Sequence, residues 1–233
     1  MKYYYINLEN AKKRRENIEK QFKENNASFH RVEAFLYNDI NHGNEKIAKE
    51  NACCRSHIKA IYEFVMNSCD DYGIICEDDL TFELKKYWKL TPEEVEKNAP
   101  KDYGIIQLAV IFCNITNPRL KWSEQPEYFK WGTIPSVGSC LAYIINRKCA
   151  IELLNYYLNH NHFSNQAIFG AADSGGGIYG KTNKHTKFTA YTYKYPMFTY
   201  PNDNDTQLGN CQNNQQASKR QVINYLKQCK NYK

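Results

Sequence analysis

The chain has 233 residues, 42% hydrophobic and 24% charged. That is an ordinary globular composition, for which disorder is not the default, and the length buries a core without staples. A formal charge of +6 suits an anionic substrate or a nearby membrane surface and does not by itself argue for nucleic acid. Nine cysteines, an odd number, lack the paired short spacings of a zinc site and read as mostly free thiols of a reducing, cytoplasmic compartment. The opening MKYYYINLEN turns polar too soon for a signal peptide, and no stretch approaches the ~20 apolar residues that span a bilayer. Peripheral membrane association and a homodimer both stay open.

In chain order, Tyr3 to Leu8 reads as a strand, Glu9 to Asn25 as a charged amphipathic helix, and Phe29 to Phe35 as a second strand. Strand, helix, strand is the unit of a parallel sheet. After a polar loop from Asn38 to Asn44, the pattern predicts a long helix over Glu45 to Asn67, with Cys54, Ile58, Ile61 and Val65 on one stripe. Gly73 to Cys76 is a short buried strand that ends in three carboxylates, Glu77, Asp78 and Asp79. Thr91 and Pro92 start a short helix, and Tyr103 to Ile111 is another buried strand. Asn114 to Pro135 is a long irregular stretch, of the kind that is usually a functional loop, whose Trp122, Tyr128 and Trp131 belong either to a lid or to the core. Ser136 to Ile145 is a strand and Arg147 to Leu158 a helix. Gly170 to Gly180 is a glycine-rich loop around Asp173. Phe188 to Phe198 is a strand with Tyr191, Tyr193 and Tyr195 on one face, and Gln216 to Gln228 is a terminal helix. With no repeat and no linker, one domain over 1–233 is the simplest count.

Strand alternation points Glu77 and Asp79 the same way and Asp78 the other. Two converging carboxylates want a cation, and hard oxygen donors suit Mg²⁺ or Mn²⁺; the alternative is a solvated acidic turn. Asn7 and Leu8 at the end of the first strand offer a backbone edge and an amide to a planar base, and Arg14 offers a fork to phosphate; the alternative is a solvated basic face. His57 sits beside the apolar helix stripe, where a satisfied core histidine is the commoner outcome. The cysteines Cys53 and Cys54 have no evident catalytic partner. Asp173 is placed to act as a general base, or its loop is a flexible connector.

Taken in order, INL with Arg14, VEA at Val32 to Ala34, CxxSH from Cys53 to His57, a strand ending in EDD, GSCLAYII from Gly138 to Ile145, and an isolated Asp173 before Tyr195-Pro196 resemble glycosyltransferase family 25. The family includes bacterial lipopolysaccharide glycosyltransferases and collagen galactosyltransferases. Ala52 stands where that family usually has glycine, and three glycines follow the late aspartate. The resemblance implies an α/β, GT-A-like, Rossmann-type mixed sheet flanked by helices. It divides the chain into a nucleotide-binding half over about 1–112 and an acceptor-side half over about 113–233. It implies an inverting hexosyltransferase using a nucleotide sugar, UDP-linked, and a glycan or glycoprotein acceptor. Asn7, Leu8, Arg14, Ser56, His57, Glu77 and Asp78 would serve the nucleotide side. Asp79 and Glu77 would hold Mn²⁺ or Mg²⁺, and Asp173 would be the base. Two other classes would use the same residues: a catalytically silent nucleotide- or glycan-binding protein of this fold, and a metal-dependent phosphodiesterase, which would need a second acidic or histidine cluster.

Overall fold

The computed structural model describes residues 1–40, 42–112, 122–134, 137–159, 171–201 and 212–231. The expected opening unit is present as β1 (Lys2–Asn7), α1 (Lys12–Glu24) and β2 (Ser28–Glu33), with β1 and β2 parallel. Helix α2 occupies Glu45–Asn67, as its stripe predicted, and the Asn44 side chain caps it by accepting from the Ile47 amide. Then come β3 (Tyr72–Glu77), α3 (Pro92–Lys97) and β4 (Tyr103–Gln107). The rest of the described chain forms β5 (Ile111–Phe112), β6 (Tyr128–Lys130), β7 (Val137–Gly138), β8 (Ala142–Asn146), α4 (Arg147–Asn159), α5 (Ile178–His185), β9 (Thr189–Tyr193) and α6 (Gln212–Asn231).

Seven strands form one mixed sheet in the order β2-β1-β3-β8-β4-β9-β6, and β5 pairs with β7 in a separate ribbon. Strand β3 is parallel to β1, whereas β8 runs antiparallel between β3 and β4. Because β8 lies between strands from earlier in the chain, the stretches before and after residue 113 share one sheet. The α/β class and the mixed sheet flanked by helices are therefore as expected.

Alternate residues of each strand feed two different cores, as strand geometry demands. Tyr4, Ile6, Ile75, Ile105, Tyr143 and Ile145 pack with residues of α2, α4 and α5. Their neighbours Tyr3, Tyr5, Ile74, Ile106, Ala142 and Ile144 pack with Ile18 and Phe22 of α1 and Val95 of α3. Within α2, Cys54, Ile58, Ile61 and Phe64 are buried on the first of these faces. Each large aliphatic or aromatic chain buried in this way contributes about 1.5–3 kcal/mol, so the stripe that made the helix legible is also what fastens it.

Several expected boundaries shift for visible reasons. The strand expected over Ser136 to Ile145 is two strands, separated by Ser139, whose φ of 131° takes the chain out of extended geometry. The strand expected to reach Ile111 stops at Gln107, and the one expected to reach Phe198 stops at Tyr193. Helix α5 lies partly inside the stretch read as a glycine-rich loop. A Cβ on Gly180 would collide with the backbone of Gly175, so this loop folds tightly onto the start of α5. Within the expected loop over Asn114 to Pro135, residues 114–121 and 135 lie outside the described residues, as do Asn41, Gly170 and Ser136, and the described part holds strand β6, paired antiparallel with β9.

Candidate active site

Parallel pairing sets Ile6 against Glu77, so the carboxyl ends of β1 and β3 emerge side by side. A cavity of about 560 Å³ opens at this edge. Such an edge is where open α/β sheets bind ligands. Asn7, Leu8, Arg14, Ser56, His57, Glu77, Asp78, Asp79 and Asp173 all line it. The sequence motifs, spread over most of the chain, thus converge on one space.

Asn7 organises the nucleotide-side wall. It is almost fully buried, and its amide nitrogen donates to Asp78 Oδ2 at 2.7 Å and to the Ala11 carbonyl at 3.2 Å. Its carbonyl oxygen accepts from Arg15 Nε and Arg31 Nε, each at 3.1 Å. Arg14 spreads across the acidic pair, donating to Asp78 Oδ1 at 2.8 Å and to Asp79 Oδ2 at 3.1 Å. The guanidinium expected to meet phosphate directly thus rests on carboxylates. Asp78 also faces the cavity, contrary to strand alternation, because β3 ends at Glu77 and the next two residues form a turn.

Asp79 Oδ1 is buried with no hydrogen-bond partner. Burial and the neighbouring Glu77 raise its carboxyl to about 8 despite the opposing pull of Arg14. An orphaned carboxylate oxygen beside a second carboxylate fits a hard divalent cation.

Beneath the triplet, α2 presents Cys53 and His57 one turn apart. His57 Nε2 lies 3.2 Å from Glu77 Oε1, and its Nδ1 lies 3.3 Å from the Tyr143 hydroxyl. Cys53, His57 and Glu77 each offer a donor atom, all within 4.8 Å of one another. Burial, then Glu77, push the Cys53 thiol well up. Adjacent Cys54 belongs to the core. The Ser56 hydroxyl donates to the Ala52 carbonyl at 2.7 Å and accepts from the Phe35 amide at 2.9 Å, which fastens the chain leaving β2 to α2.

Asp173 enters from the glycine-rich segment. Burial first and Glu77 second raise its carboxyl, while backbone amides of Asp173 and Ser139 pull the other way. A Cβ at Gly138 would lie 2.5 Å from Asp173 Oδ2, so any larger residue there would push that carboxylate from its position. Ser139 holds its uncommon backbone through several bonds. Its Oγ pairs with the Tyr200 hydroxyl at 2.9 Å and accepts from the Leu141 amide, and its carbonyl accepts from Gln107 and Tyr179. Strain of this kind persists where surrounding structure over-determines it.

Sequence reasoning missed Ser139 and Tyr200, which also line the cavity. The run GSCLAYII was a signal for the first; nothing local marks Tyr200. The aromatic residues considered as a lid do not line the cavity. Trp122 is buried and donates to the Lys194 carbonyl at 3.2 Å, Tyr128 pairs in β6 and donates to the Val95 carbonyl, and Trp131 packs against Tyr179. Trp122 is a core residue, and Tyr128 and Trp131 are half-buried against the core.

Among solved structures, A197 from STIV aligns at 9% identity and a TM-score of 0.41, covering 88% of this chain and 96% of its own. A glycosyltransferase involved in glycosylation of the major capsid of PBCV-1 aligns at 8% identity and 0.37, covering 82% and 91%. A mutant Drosophila β-1,4-galactosyltransferase 7 in complex with manganese, UDP-Gal and xylobiose aligns at 8% identity and 0.39, covering 85% and 69%. No curated protein matches the chain. The family description that does match is glycosyltransferase family 25 (LPS biosynthesis protein), over residues 1–168. Since that match takes in the motifs INL, CxxSH, EDD and GSCLAYII, which the fold gathers at one cavity, the chain belongs to glycosyltransferase family 25 and is a glycosyltransferase.

Proposed function

We propose that this glycosyltransferase moves a hexose from a UDP-linked donor to an acceptor hydroxyl on a glycan or glycoprotein, with inversion and with the help of a divalent cation. The observation that carries the reading is the orphaned, buried Asp79 Oδ1 beside Glu77 in a cavity that also receives Asp173. Glu77 and Asp79 would hold Mn²⁺ or Mg²⁺. Bound there, the cation supplies Lewis-acid neutralisation of the charge that develops on the leaving diphosphate.

The chain's own residues do the rest. Asn7 and Leu8 offer the nucleotide a wall fixed by the hydrogen bonds of Asn7, and Arg14 neutralises Asp78 so that the acidic turn tolerates an anionic donor nearby. The acceptor oxygen attacks the anomeric carbon from the side opposite the diphosphate. As that C–O bond forms, the bond to the diphosphate oxygen breaks and its electron pair leaves with the nucleotide. Asp173 takes the acceptor's proton. A raised carboxyl pKa suits it to that task, because a base works best near the operating pH. The seven described cysteines are all free thiols, which supports a reducing cytoplasmic setting. No helix among the described residues is long and apolar enough to cross a membrane.

The Arg14 fork favours a second reading, in which the guanidinium supplies the positive charge and no cation is needed. One experiment separates the two. Purified protein is incubated with a panel of UDP- and GDP-sugars, with Mn²⁺ or with EDTA, and nucleotide release is followed. Release from one donor that requires Mn²⁺ supports the first reading, and EDTA-resistant release supports the second. Donor binding without release under every acceptor tried overturns both.

A further inference from the structure

We propose that Cys53, His57 and Glu77 form a binding site for zinc, distinct in ligand chemistry from the Glu77 and Asp79 oxygens and sharing Glu77 with them. The regulatory consequence, that zinc opposes the hard cation, rests on the function proposed above. The binding site itself does not.

The argument is geometric. The donor atoms of the three residues lie within 4.8 Å of one another, and His57 Nε2 and Glu77 Oε1 are already 3.2 Å apart. Ligand bonds of 2.0–2.3 Å at a tetrahedral ion put neighbouring donors about 3.3–3.8 Å apart, so only a small side-chain adjustment closes the set. Two donors come from one helix at i, i+4, a spacing that puts both on the same face. The third comes from the end of β3, in a different layer.

Thiolate, imidazole and carboxylate together make a borderline donor set, suited to Zn²⁺ or Co²⁺ rather than Mg²⁺. Three protein ligands opening on a cavity leave a fourth position for water or a substrate oxygen. The ligating histidine is supported from behind: its Nδ1 faces the buried Tyr143 hydroxyl, the outer contact that fixes a metal-bound imidazole. On binding, the Cys53 thiol proton is released to solvent and the sulfur's electron pair goes to the metal. With Glu77 committed to zinc, Asp79 loses the carboxylate with which it would hold a hard cation.

The test uses the full chain, freed of metal with a chelator and titrated with Co²⁺ as a spectroscopic stand-in for zinc. A stoichiometric charge-transfer band in the near ultraviolet, the signature of sulfur bonded to cobalt, is expected, together with its loss in Cys53→Ser and its persistence in Cys69→Ser. Zinc should displace the cobalt and abolish the band. Tyr143→Phe conserves volume and should weaken zinc binding by about 10–100-fold, the usual cost of an outer-shell change. Absence of the band in the wild type, or an unchanged band in a folded Cys53→Ser protein, overturns the site. For the regulatory part, zinc should suppress Mn²⁺-dependent nucleotide release in the wild type, with a much higher zinc concentration needed for the same fractional suppression in Cys53→Ser; equal sensitivity overturns it. A cobalt band in a protein that turns over no donor leaves the zinc site standing and removes the function proposed above.

Discussion

Asn7 and Asp78, 71 residues apart in sequence, are joined by a buried hydrogen bond of 2.7 Å that ties the end of β1 to the acidic turn after β3. The same amide serves Ala11, and its oxygen serves Arg15 and Arg31, so one side chain fixes the geometry of a whole wall. Asn7→Ala removes every one of these contacts and leaves Asp78 short of a donor. A loss of about 2–4 kcal/mol in urea unfolding is expected. A change below the usual range for surface positions would show that the network is dispensable.

Asp79 makes metal-free stability depend on pH. Its folded pKa, about 8, lies above its unfolded value, so the folded state keeps a proton that the unfolded chain has already lost. Stability from this group is fully present below the ordinary carboxylate range, about pH 4, and is lost as pH rises from there through the folded pKa. Thermal midpoints of chelator-treated protein should decline toward alkaline pH, and Asp79→Asn should flatten the decline. Added Mn²⁺ should rescue the wild type at alkaline pH and not the variant.

Gly138 leaves room for the carboxylate of Asp173. Gly138→Ala should displace that carboxylate, and nucleotide release in the presence of acceptor should fall on the order of 100-fold, since misplacing a reacting group by an ångström costs about that much. Unchanged turnover in this variant would remove Asp173 from the mechanism.

Thr91 lies away from the cavity and closes the capping box at α3 with Glu94. Thr91→Ala should cost about 1 kcal/mol of stability, the usual value of such a cap, with nucleotide release unchanged. It serves as a control for variants that weaken the fold without touching the site.

What was legible in the sequence follows from locality. The α2 stripe and the Thr91 cap are written in neighbouring residues, and both stand as expected. The convergence of INL, CxxSH and EDD on one cavity came from the order of motifs, which parallel pairing of β1 with β3 turns into proximity. The orientation of Asp78 was not legible, because strand periodicity stops applying at Glu77, where the chain turns. Nor was the break at Ser139, whose φ is held by bonds to Tyr200, Gln107 and Tyr179, residues far away in sequence. The aromatic run with Trp122 and Tyr128 looked like a loop because its partners, Lys194 and Val95, are equally remote. Cys53 and Cys54 looked alike side by side; only the fold sends one to the cavity and the other to the core.

The central claim is that Asp79 takes part in cation-assisted departure of the nucleotide. The most direct measurement is nucleotide release from the preferred UDP-sugar by wild type and Asp79→Asn side by side, each with Mn²⁺ and with EDTA. The account predicts release by the wild type with Mn²⁺ only, and its loss in a variant that remains folded. Equal release by the two proteins, or release indifferent to EDTA, would contradict it.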